Sequence, residues 1–240
     1  MYDYVTRFVI SLSVWPFLYS ILLWVFNMNM SDANLIVSTF HAIVVGIGGA
    51  SLAIDMISMD TKSQYLSLTP GVQTYGVFFI TYIFVDLFFE LSLPRINKVN
   101  VLHHILFLTI GVLCGAYSYI GFCFTWLTIG ELSTPFMNLH VYLGKILKSG
   151  RGRPWMLTLQ KVNITIGSIV FFICRVFVYS LGLLHFFSEK SLVVSIPPPS
   201  QVLYLPICFI FMGYVLNFMW MFMVIKAVIR TFRVKYKHNV

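Results

Sequence analysis

Seven apolar runs, each about as long as a bilayer-crossing helix, constrain this chain more than any other feature of its sequence. With a window of about 20 residues they fall at 7–26, 35–54, 71–91, 101–119, 121–142, 163–187 and 203–229. In lipid a backbone must satisfy its own hydrogen bonds, so such runs are expected as helices. Only 10% of the 240 residues are charged and 59% are hydrophobic, whereas a soluble domain carries about a quarter charged residues. A water-facing surface cannot be covered from that stock. The expected fold is therefore an all-α, multi-pass transmembrane helical bundle with no separate soluble domain. Before the first run there is neither a basic leader nor a small-residue cleavage site, so it is expected as a retained span. The fourth and fifth runs nearly touch at Ile120, which calls for a tight helical hairpin or a partly re-entrant pair.

Basic residues orient the bundle, because short cytosolic connections carry the excess of Lys and Arg. Arg95, Lys98, Lys145, Lys148, Arg151, Arg153, Lys161, Lys226, Arg230, Arg233, Lys235 and Lys237 collect on one side, against Arg7, Lys62 and Lys190 on the other. This predicts a luminal or external N-terminus and a cytosolic C-terminus. It also accounts for the net charge of +8 through attraction to anionic headgroups, with no need of nucleic acid as a partner. Two acceptor triplets, Asn29-Met30-Ser31 and Asn163-Ile164-Thr165, are then expected to stay free of glycan. Cys114, Cys123, Cys174 and Cys208 all fall in apolar runs and read as reduced core residues. Pro197, Pro198 and Pro199 read as a stiff luminal connection.

Ionisable side chains inside spans cost about 2.5–3.5 kcal/mol each even on permissive scales, so each is a candidate for function. Asp86 and Glu90 lie at i and i+4, on one face of the third span. His103 and His104 open the fourth. Glu131 is in the middle of the fifth, with Asn138 and His140 beyond it, Arg175 is mid-way along the sixth, and Asn217 is in the seventh. Opposite charge at similar depth predicts a Glu131–Arg175 pair, with Asp86 a candidate third member. Adjacent histidines diverge by about 100° on a helix, and the His-x-x-x-His spacing that aligns two imidazoles is absent. No metal is expected from the pair. One histidine is expected to react and the other to support it, and the sequence does not say which.

The stretch "HHILFLTIGVLCGAYSYIGFCFTWLTIGELSTPFMNL" resembles the core of the TLC domain family. That family includes translocation-associated membrane proteins, the longevity-assurance ceramide synthases, and a neuronal ceroid lipofuscinosis protein with its relatives. Asp86 in "GVFFITYIFVD", Arg175 in "FFICRVFV", and Asn217 and Trp220 in "VLNFMWMFMVIK" are similar to features of its smaller members. The resemblance implies a six-helix TLC-type core over residues 35–230, preceded by a first span and loop at 1–34 and followed by a basic cytosolic tail at 231–240.

It also implies acyl transfer from acyl-CoA by the histidine pair. His103, His104, Glu131 and Asp86 would be the catalytic residues, and Asn138, Arg175, Asn217, Trp220, Arg95 and Lys98 the substrate-binding ones. No bound cofactor is implied beyond acyl-CoA as co-substrate. Glu131 stands where the ceramide synthases have the first Asp of D-x-x-D, and Thr134 replaces the second, so ceramide synthesis itself is not implied. Two function readings stay open: a lipid-modifying acyltransferase, and a non-catalytic lipid-binding regulator, chaperone or cargo receptor. Membrane lipids are the expected partners and the endoplasmic reticulum the expected location, with a homo-oligomer left open.

Overall fold

A computed structural model describes residues 2–59, 69–92, 98–117, 121–189 and 200–233. Arg95, Lys62, Lys190, Lys235, Lys237 and the Pro197–Pro199 connection lie outside the described residues, as does the Cys114 side chain. Every regular element described is helical: α1 (Tyr2–Ser20), α2 (Met30–Ile57), α3 (Pro70–Leu91), α4 (Lys98–Tyr117), α5 (Gly121–Ile129), α6 (Thr134–Lys148), α7 (Pro154–Phe171), α8 (Val178–Ser188) and α9 (Ser200–Arg233). Local chemistry sets several boundaries. Asn29 caps α2 by accepting the Asp32 N–H, and Thr69 caps α3 by accepting that of Val72. Pro70 and Pro154 sit in the first turns of α3 and α7, where no intrahelical N–H is needed. Gly150, at φ 74°, takes the left-handed turn that follows α6, a conformation open to a residue without Cβ.

Among the described residues, five helical stretches are long and apolar enough to cross a membrane: Val5–Val25, Met30–Ile57, Pro70–Leu91, Pro154–Ser188 and Ile207–Arg233. Of the other two of the seven expected spans, α4 is an apolar helix of 20 residues, Lys98–Tyr117. The fifth is broken, since α5 and α6 are joined by the 3₁₀ turn Gly130–Ser133. The sixth is continuous but carries a π-helical segment, Phe172–Phe177, between α7 and α8. The 3₁₀ turn and the π segment pack against each other.

Packing runs in a ring. α2 contacts α3, α3 contacts α4, α4 contacts α9, α9 contacts α7, α7 contacts α6, and the α5/α6 unit returns to α2. α1 lies against α3 and α2, with Trp15 and Tyr19 fully buried there. The α2–α5 approach is close: a Cβ on Gly49 would meet the Thr128 hydroxyl and the Thr125 carbonyl.

Contacts sort the helix ends into two faces. Arg7 at the start of α1 donates to Thr74 at the start of α3 (2.6 Å), and Phe122 of α5 packs on His185 of α8 at the same level. At the opposite face Lys145 of α6 pairs with Asp32 of α2 (2.8 Å), and Lys161 of α7 lies over Phe232 of α9. Neighbouring passes therefore alternate in direction, as seven crossings require. The described basic residues divide as the sequence argument expected, Arg7 on one face and Lys98, Lys145, Lys148, Arg151, Arg153, Lys161, Lys226, Arg230 and Arg233 toward the other.

Candidate functional site

α3 ends and α4 begins at the basic face, which brings Asp86 and Glu90 to the same level as His103 and His104. All four are buried, at 4%, 6%, 8% and 8% exposure. Burial of that many ionisable groups in one place is costly unless they meet partners. His104 Nε2 lies 3.3 Å from Asp86 Oδ2. Asp86 Oδ1 accepts the Tyr19 phenol at 3.1 Å, and that phenol is also 3.1 Å from Asn34 Oδ1. A phenol has one proton, and a carboxylate is the stronger acceptor. Tyr19, Asp86 and His104 thus form a chain across α1, α3 and α4, and the Asn34 side chain of α2 also bonds to Asp86. One ligating atom from each of Asp86, Glu90 and His104 lies within 4.8 Å of the others.

His103 faces elsewhere, as adjacent positions on a helix must. Its ring packs at 4.4 Å on Phe107 and edge-on at 4.7 Å to Trp220 of α9. The two imidazoles are 5.5 Å apart, centre to centre. The Nδ1 atoms of both are buried with no hydrogen-bond partner among the described residues. Trp220 is shared, for the Arg175 guanidinium lies over the same indole at 5.4 Å and over Phe171 at 5.6 Å.

Arg175 pairs with Glu131, as their opposite charges predicted. Its Nη2 donates to Glu131 Oε1 (3.1 Å) and to Thr134 Oγ1 (3.0 Å). Its Nε donates to the Gly130 carbonyl (3.0 Å) and to Ser133 Oγ (2.9 Å). Thr134 Oγ1 in turn donates to Glu131 Oε2 (2.8 Å). The guanidinium therefore fills the gap that the 3₁₀ turn leaves in the fifth span. Asp86 bonds instead to Tyr19 and His104.

The TLC domain sequence model matches residues 10–226. The chain belongs to the TLC domain family. No curated protein and no solved structure matches it. The TLC match begins inside α1 and spans the ring, so it includes Tyr19 as well as the histidines. Within this TLC domain the sequence-selected residues separate into groups. Asp86, His104 and His103 adjoin, while Glu131 and Arg175 pair with each other, and Trp220 touches both His103 and Arg175. Asn217 is buried on α9 one turn from Trp220. Asn138 turns to α2, where its Nδ2 donates to the Leu35 carbonyl (3.2 Å) and Thr39 (3.1 Å). Lys98 is exposed at the start of α4, and Arg95 lies outside the described residues.

Tyr19 and Asn34 were not singled out from the sequence, nor was His41. His41 is fully buried and stacks at 3.8 Å on Tyr82, with Trp15 edge-on at 5.6 Å. The available signal was the spacing of Trp15 and Tyr19, four residues apart, which places two amphipathic aromatic tips on one helical face.

Proposed function

We propose that this TLC domain protein acts on membrane lipids and transfers an acyl group from acyl-CoA through His103. What carries the reading is the division of labour within the histidine pair. His104 is engaged by Asp86, whereas His103 sits against Phe107 and Trp220 with no carboxylate partner among the described residues, as a neutral imidazole nucleophile requires. The imidazole attacks the thioester carbonyl, the C–S bond breaks, and coenzyme A leaves as the thiol with the proton the imidazole loses. An amine or hydroxyl of the acceptor lipid then attacks the acyl-imidazole, and its proton returns to the ring. His104, oriented by Asp86 and Tyr19, is the neighbouring base. Lys98, exposed at the start of α4, attracts the anionic co-substrate. The basic face is cytosolic, the N-terminus luminal, and the membrane that of the endoplasmic reticulum.

A second reading, a non-catalytic lipid-binding protein, draws support from one observation. Glu131, the carboxylate that parallels the ceramide synthases, is already held by Arg175 and Thr134.

Incubation of purified protein with labelled acyl-CoA and a panel of amine and lysolipid acceptors tests the proposal. Transfer is expected, with an acyl adduct on His103 by mass spectrometry that His103→Ala abolishes. Absence of both turnover and adduct, with lipid retained in native mass spectra, decides for the second reading. Orientation is checked at Asn29, which is exposed and should carry no glycan. Asn163 is uninformative, because it is buried and its Nδ2 donates to the Phe136 carbonyl at 2.7 Å.

A further inference from the structure

We propose that Asp86, Glu90 and His104 form a binding site for a divalent first-row metal ion, with Zn²⁺ as its probe. The donors come from two helices, Asp86 and Glu90 one turn apart on α3 and His104 on α4, and all three are buried. Asp86 Oδ2 and His104 Nε2 stand 3.3 Å apart. That is the edge of a tetrahedron whose N and O donors lie about 2.0–2.1 Å from a central ion. With all three ligating atoms inside 4.8 Å, closing the last one onto the same ion takes roughly 1.5 Å or less, within the reach of glutamate side-chain torsions.

The surroundings fit a ligand set. Tyr19 holds Asp86 by its other oxygen, Oδ1, at 3.1 Å, as outer partners orient ligating carboxylates. His104 Nδ1 has no hydrogen-bond partner among the described residues, so Nε2 is the nitrogen that the fold engages. Two carboxylates and a neutral imidazole around a divalent ion sum to zero charge, which lowers the cost of holding them at membrane depth. Imidazole with carboxylate suits zinc, iron and manganese, and three protein donors leave a coordination position open, as catalytic zinc sites do. The spacing argument set aside a metal held by both histidines. This site uses His104 alone and draws its other donors from α3.

His103 is not among the donors, so ion retention and the His103 adduct are separate readouts, although an ion on His104 Nε2 replaces the role of neighbouring base given to that histidine above. Full-length, untagged protein in detergent is equilibrated with Zn²⁺, passed into metal-free buffer and analysed by inductively coupled plasma mass spectrometry. About one ion per chain is expected to stay bound. His104→Gln and Asp86→Asn should each weaken binding by at least about tenfold, while His103→Gln retains the ion. Co²⁺-loaded protein should show visible absorption bands that His104→Gln removes. Glu90→Gln guards against loss through misfolding: a variant that elutes as wild type but binds zinc more weakly supports the site, and undiminished binding overturns the three-donor assignment. Wild-type protein that retains no zinc, or variants of His104 and Asp86 that retain as much as wild type, overturn the site altogether. The His103 adduct is scored separately, so either reading can fail without the other.

Discussion

The molecule buries two polar assemblies that both touch Trp220, and they differ in how fully their valences are used. At the Glu131–Arg175 lock every partner is tied to the break in the fifth span. Arg175 reaches a carbonyl, two hydroxyls and a carboxylate, and Thr134 closes the circuit. In the α3–α4 cluster, by contrast, both His103 and His104 keep an Nδ1 without a partner among the described residues. Saturation makes a brace, and unused capacity makes a site. The residue types alone do not distinguish the two, since each contains carboxylates and a cationic or protonatable partner.

That contrast is open to measurement by thermal or denaturant unfolding in detergent. Arg175→Leu should have the largest effect, about 3–5 kcal/mol, because it strands the buried Glu131 carboxylate. The Glu131→Leu and Arg175→Leu double variant should cost less than the sum of the singles. Thr134→Val removes a hydroxyl bonded to both charged groups and should cost about 2–3 kcal/mol. Tyr19→Phe loses one bond to a carboxylate, about 1.5–2 kcal/mol. Asp86→Asn keeps an acceptor for Tyr19, and its stability should fall by only about 1 kcal/mol, although its chemistry should be lost. If Asp86→Asn destabilised the protein as much as Arg175→Leu, the cluster would be a second brace and the contrast would fail.

Much of this was legible in the sequence. Apolar length gave the crossings, and the bias of Lys and Arg matched the face on which the described basic residues lie. The Glu131–Arg175 pair followed from opposite charges at like depth, because desolvation leaves them few other options. Tyr19 and Asn34 were not legible, since neutral polar groups in a span carry no comparable penalty and their contacts with Asp86 join positions 67 and 52 residues apart. Nor was the turn at Gly130–Ser133, which interrupts an apolar run whose hydropathy does not change there. Asn138 was expected among the substrate-binding residues, and the sequence placed it by its position along the fifth span. Depth fixes a level in the membrane but not a direction around the helix, and its side chain points to α2.

The bond from Tyr19 to Asp86 also bears on how the protein is made. Synthesis proceeds from the N-terminus, so α1 and α2 precede α3 into the bilayer, and His104 follows only with α4. The phenol of Tyr19 thus precedes the Asp86 carboxylate in the chain and the His104 imidazole follows it. The carboxylate is never synthesised ahead of all its partners.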